Sequence, residues 1–313
     1  MNRALWYRRF GHPEAVLSLE TAPLSTPGAD QVQVMMIAAP INPSDVIPIT
    51  GAYAHRVQPP RVAGYEGLGQ VVATSSTSPF RLGQRVLPLR GDGTWQQRLN
   101  CNGQWLVPVP EDIADDTALR GYINPLAAQL MLRRWPVRDR QIILTAAGSD
   151  CARLLGQWAL AGGARRVIGL HRAPEHAPRL RRLGIQPLTM DRQDEILRLA
   201  AHSSLVFDAV GGPLGGALLA GLPPAATLVS YGLLSGQSVP VTPGGAVPQR
   251  FHLRDALAGM SVSDWQNAFT ALWPLLRRAQ LSPLAPFPLS RWREALSLFY
   301  RSGRAVKPLL CLA

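Results

Sequence analysis

The pattern of apolar positions changes along the chain. Before about residue 115 the apolar residues form short stretches rich in β-branched side chains, such as Gln31–Ala38, Gly67–Ala73 and Arg85–Leu89, with Gly and Pro between them. Stretches of this kind, without a sustained helical period, indicate strands joined by turns. The first third of the sequence therefore predicts a β-rich domain.

From residue 141 onward, short apolar runs alternate with segments of helical spacing. The strand-like runs are 141–145, 166–170, 188–191, 205–210 and 226–231, and the helix-like segments are 151–161, 175–183, 195–201 and 214–222. This alternation predicts parallel strands joined by right-handed crossover helices. We expect a doubly wound Rossmann sheet with helices on both faces.

The C-terminal stretch has a different order. Two amphipathic segments, 265–278 and 291–300, precede a strand-like run at 307–312, and we expect this tail to pack on the first domain. The fold class is thus α/β, and 313 residues are enough for two domains. We place the β-rich domain at 1–117 and 265–313 and the Rossmann domain at 118–264.

Composition narrows the function classes. The chain is 47% hydrophobic and 17% charged, which is typical of a globular protein. Its net charge of +12 comes almost entirely from arginine, since Lys307 is the only lysine. The arginines are scattered and form no basic block among aromatic residues, so we expect no nucleic-acid partner. An acidic dinucleotide or a CoA ester suits this positive charge as well as a nucleic acid does.

The cysteines and the hydropathy of the sequence indicate in which cellular compartment the protein is expected. Cys101, Cys151 and Cys311 form no CxxC pair, which argues against a disulfide framework and against a four-cysteine zinc site. No run is long and apolar enough to cross a membrane, and the N-terminus lacks the pattern of a cleaved leader. We expect a cytoplasmic protein without a membrane partner.

The turn after the first α/β strand, 145–152, has the sequence TAAGSDCA. In a Rossmann unit this turn places a dinucleotide pyrophosphate on a helix N-terminus, where free N–H groups and the helix dipole stabilise it. Plain packing also favours small residues here, but the surrounding pattern favours a cofactor. A carboxylate in this turn can cap the helix, although it repels a pyrophosphate. The candidate contacts are Gly148, Ser149, Asp150, Cys151 and Ala152.

The ends of the other parallel strands supply further candidates. His171 and Arg172 end the second strand, where an acidic residue would bind the ribose of NAD and an arginine can pair with the 2′-phosphate of NADP. We therefore predict NADPH, the alternative being a solvated arginine. Later strand ends carry residues that can approach the nicotinamide half or simply form turns. These are Val210, Gly211, Tyr231 and Gly232.

Several motifs, taken in order, resemble one superfamily. They are Asn42-Pro-Ser-Asp45, Gly51-Ala-Tyr53, Gly64-Tyr-Glu-Gly-Leu-Gly69, Asn124-Pro125, the 147–149 turn, Val210-Gly-Gly212, Ser230-Tyr-Gly232 and Gly303-Arg-Ala-Val-Lys307. Over nearly the whole chain the sequence resembles the medium-chain dehydrogenase/reductases. The resemblance implies a GroES-like catalytic domain beside a Rossmann domain, cofactor contacts that include Asn124 and Lys307, and a homodimer.

Within the superfamily, the resemblance points to a zinc-free branch. Where zinc alcohol dehydrogenases carry Cys and His ligands, this chain has Asn42 and Tyr65, so we expect no metal site. The closest pattern is that of the 2-enoyl thioester reductases, whose proposed proton donor corresponds to Tyr53. Asn42 would orient the substrate or the nicotinamide ribose. The sequence departs from the family pattern in two places that normally face the cofactor, namely the segment 150–152 and Ala127.

Three functional hypotheses follow. The first is NADPH-dependent reduction of an activated C=C bond, in an enoyl thioester or an enone, with Tyr53 as acid. The second is a quinone reductase, which needs no protein acid because the reduced quinone takes its proton from water. The third is a non-catalytic nucleotide-binding protein, which the altered glycine turn would favour.

Overall fold

A computed structural model describes residues 1–241 and 245–313. The strands are β1 (Asn2–Tyr7), β2 (Leu17–Ala22), β3 (Gln31–Pro40), β4 (Arg61–Val62), β5 (Leu68–Ala73), β6 (Arg85–Leu87), β7 (Arg98–Asn102), β8 (Val107–Pro108), β9 (Gln141–Leu144), β10 (Arg166–His171), β11 (Gln186–Thr189), β12 (Leu205–Asp208), β13 (Thr227–Ser230), β14 (Gln249–Arg250), β15 (Leu284–Pro288) and β16 (Lys307–Cys311). The helices are α1 (Pro13–Val16), α2 (Pro43–Val46), α3 (Asp115–Ala118), α4 (Ile123–Arg134), α5 (Asp150–Ala161), α6 (Ala177–Arg182), α7 (Gln193–Ala200), α8 (Gly212–Gly221), α9 (Leu253–Leu257), α10 (Val262–Arg277) and α11 (Trp292–Tyr300).

The chain divides into two compact units. Unit 1 comprises residues 1–123, 261–278 and 282–313, and unit 2 comprises 124–260 and 279–281. The limits expected from the sequence were 117/118 and 264/265, close to the divisions at 123/124 and 260/261. In the C-terminal tail, β16 pairs antiparallel with β3 of unit 1.

Unit 1 is built on two sheets. One has the order β2-β1-β4, and the other has the order β15-β16-β3-β5-β6-β8, with β7 also paired to β3. Side chains alternate along β3, so that Val32, Val34 and Met36 are buried at 2%, 0% and 0% exposure. They join a core that includes Trp95 and Trp292.

Unit 2 contains one sheet with the order β11-β10-β9-β12-β13-β14, and all its neighbouring strands are parallel. The order reverses at β9, as it does in a Rossmann sheet. Strands β9 and β12 are buried at every residue, since helices cover both faces of such a sheet. The predicted α/β fold class is confirmed.

Helix α4 and strand β11 differ from the sequence expectation. Helix α4 was not anticipated; it buries Pro125 and most of the following two turns, so its apolar positions show no clean helical period. Strand β11 begins at Gln186, two residues before the predicted 188–191 run. Within the part of the chain that the structure describes, no helix has the length and apolar character needed to span a membrane.

Candidate active site

The loop that carries Tyr53 follows a short, capped helix in unit 1. Asn42 is the N-cap of α2, Asp45 closes a capping box with it, and a 3-10 turn at Ile47–Thr50 follows. That turn ends at Gly51, whose φ of 92° requires the left-handed region. The carbonyl of Tyr53 accepts hydrogen bonds from the N–H groups of Arg56 and Val57 at 2.8 and 2.9 Å. The Tyr53 side chain is partly exposed.

A buried polar cluster, consisting of Asn42, Asp45, Glu66 and Lys307, lies at the start of α2. Nδ2 of Asn42 donates to Oε1 of Glu66 at 2.7 Å and to Oδ2 of Asp45 at 3.1 Å. Nζ of Lys307 donates to Oδ1 of Asn42 at 2.6 Å. The four residues are 0%, 1%, 1% and 5% exposed, respectively. Both ends of the Asn42 amide are therefore occupied by ionisable partners.

The buried polar cluster also fixes backbone segments of unit 1. Oδ2 of Asp45 accepts from the N–H of Asn42 at 2.7 Å, and its Oδ1 accepts from the N–H of Tyr65 at 2.8 Å. Oε2 of Glu66 accepts from the N–H of Ile123 at 2.7 Å. The Asp45 carboxyl group thus holds the backbone of Asn42 and of Tyr65.

Burial sets the protonation of the two carboxyl groups in the buried polar cluster. Loss of solvation, with the neighbouring charge of Glu66, raises the pKa of Asp45 to about 7. Burial also raises the pKa of Glu66, although the ammonium of Lys307 and the N–H of Ile123 act in the opposite direction. Asp45 therefore exchanges a proton near neutral pH.

The buried polar cluster contains two of the residues singled out in the sequence. Asn42 is fully buried, and its amide is held by Lys307 and by the two carboxyl groups. Lys307, a predicted cofactor contact, lies in unit 1 and donates to Asn42. The roles of these two residues towards substrate and cofactor stay predictions.

The turn before α5 leads into a capped helix N-terminus. Ser149 caps α5, and its hydroxyl accepts from the N–H of Ala152 at 3.3 Å. Ala146 has a φ of 47°, which turns the chain sharply after β9. A Cβ on Gly148 would lie 2.5 Å from the ring of His176, so this imidazole packs directly on the turn.

Asp150 is paired within the same helix. Its Oδ1 accepts from Nη2 of Arg153 at 2.6 Å, and the two side chains are 18% and 7% exposed. The arginine offsets the repulsion that this carboxylate was expected to exert on a pyrophosphate. Sequence reasoning overlooked Arg153 and His176, although the i,i+3 spacing of Asp150 and Arg153 was a usable signal.

The other predicted residues of unit 2 surround the same strand ends. Sγ of Cys151 donates to the carbonyl of Asn124 at 3.8 Å. Burial, with Cys151 nearby, raises the pKa of Tyr231 well above its usual value. The backbone of Gly232 approaches β12 so closely that a Cβ would lie 2.7 Å from the carbonyl oxygen of Ala209. The structure therefore brings Asn124, Cys151 and Tyr231 together.

Asp208 organises the turn after β12. Its carboxylate accepts from the hydroxyl of Thr145 at 2.7 Å and from the N–H groups of Val210 and Gly211 at 3.0 and 2.9 Å. Those two N–H groups are thus held by the protein itself. Gly211 has a φ of 70° and a Cβ there would lie 2.2 Å from the carbonyl oxygen of Gln237, so a glycine is required.

His171, the last residue of β10, and Arg172, which follows it, have different environments. His171 is only 3% exposed, and its Nδ1 lies 3.0 Å from the carbonyl oxygen of Ala173, so its ring lies against the turn that follows the strand. Arg172 is exposed. It lines an open pocket of about 400 Å³ whose other lining residues are Pro174, Thr189, Met190 and Asp191. A hydrogen bond from Thr189 lowers the pKa of Asp191.

Across residues 1–241 and 245–313, no group of three or more His, Cys, Asp and Glu side chains is arranged to hold a metal ion. Asn42 and Tyr65 stand where the resemblance would place zinc ligands, and neither supplies a thiolate or an imidazole.

Comparisons with known proteins agree with this architecture. Residues 28–111 match the alcohol dehydrogenase GroES-like domain. The chain is 32% identical to the mitochondrial enoyl-[acyl-carrier-protein] reductase of Bos taurus over 303 residues, which cover 90% of this chain and 80% of the bovine protein. A Bacillus thuringiensis protein provisionally assigned as an NADPH:quinone reductase superposes with a TM-score of 0.92 at 31% identity, over 100% of this chain and 99% of the other.

A more distant structure shares the fold. The Etr1p complex with NADP and crotonyl-CoA, from the mitochondrial 2-enoyl thioester reductase of Candida tropicalis, has a TM-score of 0.84 at 19% identity, over 99% of both chains. The two units and these matches define a medium-chain dehydrogenase/reductase. Within that oxidoreductase superfamily, the chain belongs to the zinc-free branch of 2-enoyl thioester reductases and quinone oxidoreductases.

Proposed function

We propose that this protein is a zinc-independent, NADPH-dependent reductase of activated C=C bonds, with 2-enoyl thioesters as its substrate class. The observation that carries the proposal is Tyr53, a partly exposed phenol on a hydrogen-bonded turn directly after the capped helix α2. The 32% identity to an enoyl-[acyl-carrier-protein] reductase supports the same class. No metal would be required, because a phenol can serve as the acid.

Unit 2 fits a nicotinamide dinucleotide. The N-terminus of α5, capped by Ser149, offers N–H groups and a positive dipole end to a pyrophosphate. Arg153 neutralises Asp150 in that turn, and the ring of His176 lies against Gly148. Arg172 is exposed at the end of β10. A contact between its guanidinium and the 2′-phosphate would favour NADPH over NADH. Asn124, Cys151, Tyr231 and Gly232 would border the nicotinamide half.

The residues of the chain have separate roles in this proposal. NADPH, when bound, supplies the hydride to the β-carbon of the enoyl group. Tyr53 donates a hydrogen bond or a proton to the substrate as negative charge develops on its carbonyl. The buried polar cluster keeps the backbone leading to Tyr53 in one conformation. Arg172 and α5 bind and orient, and contribute no chemistry of their own.

Quinone reduction is the second candidate, and one observation favours it. The protein with the TM-score of 0.92 carries a quinone reductase assignment at 31% identity. A quinone that accepts a hydride can take its proton from water, so this reaction would not depend on Tyr53. The two candidates therefore differ in a measurable way.

Tyr53→Phe separates the candidates. Binding of NADPH and NADH is first measured by fluorescence titration, and turnover is then followed by absorbance with crotonyl-CoA and with a benzoquinone. We expect Tyr53→Phe to lower kcat for crotonyl-CoA by about 100-fold or more, with little change for the quinone and none in NADPH affinity. Tyr300→Phe, which removes an exposed phenol from α11, is the matched control.

Other outcomes would change the conclusion. Equal activity of the wild type and Tyr53→Phe towards crotonyl-CoA would contradict the role of the phenol. Turnover of the quinone alone would favour the second candidate. Failure to bind either nucleotide would contradict both reductase proposals and return the chain to a non-catalytic function.

A further inference from the structure

Arg90 lies on the loop between β6 and β7, and its side chain rests on two tryptophan rings of unit 1. The guanidinium carbon is 4.0 Å from the centroid of the Trp105 ring and 5.3 Å from that of the Trp265 ring. The two indoles meet edge to face at 6.1 Å, and Nε1 of Trp265 donates to the carbonyl of Trp105 at 3.1 Å. This aromatic platform, consisting of Trp105 and Trp265, holds the guanidinium in one place.

The guanidinium of Arg90 has no anionic partner of its own. Arg90 is exposed, and within residues 1–241 and 245–313 its side chain forms no ion pair and no hydrogen bond. Its φ of 61° lies in the left-handed region, which a non-glycine residue enters at a cost in free energy. The tryptophan rings offer no oxygen to the five N–H donors of the guanidinium, so these donors stay available to an anion. Carboxylates and phosphates are the groups that match a guanidinium in this way.

The loop that carries Arg90 is attached to the buried polar cluster of unit 1. Thr94, which follows on the same loop, donates from its hydroxyl to the carbonyl of Glu66 at 2.9 Å. The Glu66 side chain accepts from Nδ2 of Asn42 at 2.7 Å, and Asn42 begins the helix α2 that leads to Tyr53. The loops of Arg90 and Tyr53 are therefore both anchored on Glu66.

The aromatic platform is joined to the same cluster by Tyr122. The rings of Tyr122 and Trp265 are 5.7 Å apart, and the next residue, Ile123, donates its N–H to Oε2 of Glu66 at 2.7 Å. Tyr122 and Trp265 are 9% and 0% exposed, whereas Trp105 is partly exposed. An apolar wall and an available cation thus share the framework that carries the proposed acid.

We propose that Arg90 binds a carboxylate at the far end of the acyl chain, so that the substrates are 2-enoyl thioesters of dicarboxylic acids. The inference rests on the proposed function, because it names the substrate of the same reaction. A carboxylate is planar and accepts two hydrogen bonds from a guanidinium, and the carbon chain that carries it gains from the apolar surface of the aromatic platform. A phosphate of CoA is polar on all sides and would leave that surface unused. Arg90 selects the substrate and takes no part in hydride or proton transfer.

A matched pair of CoA esters tests the proposal by turnover. Glutaconyl-CoA is a 2-enoyl thioester that ends in a carboxylate, and trans-2-pentenoyl-CoA carries a methyl group in its place. We expect the wild type to prefer the acid in kcat/KM by on the order of 10-fold, the size of a charged hydrogen-bonded contact after solvent screening. Arg90→Met should abolish this preference and leave kcat/KM for trans-2-pentenoyl-CoA unchanged. Arg81→Met, at an exposed position of the loop before β6, is the matched control and should keep the preference.

Saturated esters provide a measurement that does not depend on turnover. Glutaryl-CoA and valeryl-CoA differ in the same way and cannot be reduced, and their binding in the presence of NADPH is measured by isothermal titration calorimetry. The wild type should bind glutaryl-CoA about 10-fold more tightly, and this difference should shrink as the salt concentration is raised. Arg90→Met should bind both esters equally. Trp105→Leu, which keeps the arginine and removes the nearer ring, should lose part of the preference.

The outcomes separate the carboxylate site from the proposed function. A protein that reduces no enoyl thioester but binds glutaryl-CoA through Arg90 contradicts the proposed function and supports the site. A wild type without a preference for the acid, in turnover or, where there is no turnover, in binding, overturns the site. An equal loss for the acid and the neutral ester in Arg90→Met indicates a contact with the CoA phosphates and also overturns it. If Arg90→Met does not fold, Arg90→Gly removes the same guanidinium and suits the φ of 61°.

Discussion

The pairing of Asp150 with Arg153 leads to a sharp prediction about cofactor affinity. Asp150 is the first residue of α5, at the helix end proposed to bind the pyrophosphate, and Arg153 holds its carboxylate at 2.6 Å. Arg153→Met keeps the bulk of the side chain and leaves the carboxylate without this cation. NADPH binding should weaken, because an unscreened negative charge then faces the diphosphate.

The expected loss of NADPH affinity is estimated from the interaction between two unit charges that are separated by one ion-pair distance. Two unit charges about 4 Å apart interact by about 4 kcal/mol at an effective dielectric constant of 20. The side chains of Asp150 and Arg153 are 18% and 7% exposed, so solvent and relaxation reduce this value. We expect a net loss of roughly 1.4–2.8 kcal/mol, which corresponds to a rise in Kd of about 10-fold to 100-fold.

A double-mutant cycle measured by NADPH fluorescence titration tests the reasoning. Asp150→Asn removes the repulsive charge, so Asp150→Asn/Arg153→Met should bind NADPH nearly as well as the wild type. The loss in Arg153→Met should also shrink at high salt. If the double variant binds as weakly as Arg153→Met, the arginine contacts the cofactor itself and the argument about neutralisation is wrong.

Three further predictions concern other parts of the two units. Arg172→Gln should raise the Kd of NADPH by about 10-fold to 100-fold and leave the Kd of NADH unchanged, and Arg192→Gln is the control. Equal effects on both nucleotides would contradict a contact between Arg172 and the 2′-phosphate. Ala146→Gly should stabilise unit 2 by about 1 kcal/mol, because Ala146 has a φ of 47°, which an alanine adopts only with strain. Thermal unfolding measures the effect, and a lower Tm would contradict strain at this position. Because the folded pKa of Asp45, about 7, exceeds its unfolded value, the native state binds the extra proton and loses stability as pH rises. The free energy of unfolding of the wild type, relative to Asp45→Asn, should therefore fall between about pH 4 and 7 by up to ~1.4 kcal/mol per pH unit, and a constant difference would contradict this.

The sequence predicted the elements whose signals are local. The two-residue period of 31–38 and the strand–helix alternation after residue 141 both depend on neighbours in the sequence, and β3 and the Rossmann sheet lie where these patterns put them. Parallel strands bring their carboxyl ends to one edge, so Gly148 and Arg172 could be singled out without coordinates. Helix α4 escaped because it is buried on most sides.

The candidate site in unit 1 depended on contacts between distant residues. Nothing in the spacing of Asn42, Glu66 and Lys307 shows that they meet, because 265 positions separate the first from the last. The pairing of β16 with β3 brings the only lysine beside the start of α2. By itself the sequence determined the order of the elements, the zinc-free pattern and the small-residue turn before α5. Only the tertiary structure decided that Lys307 and Asn42 meet within the core, because burial and charge pairing arise when distant segments pack together.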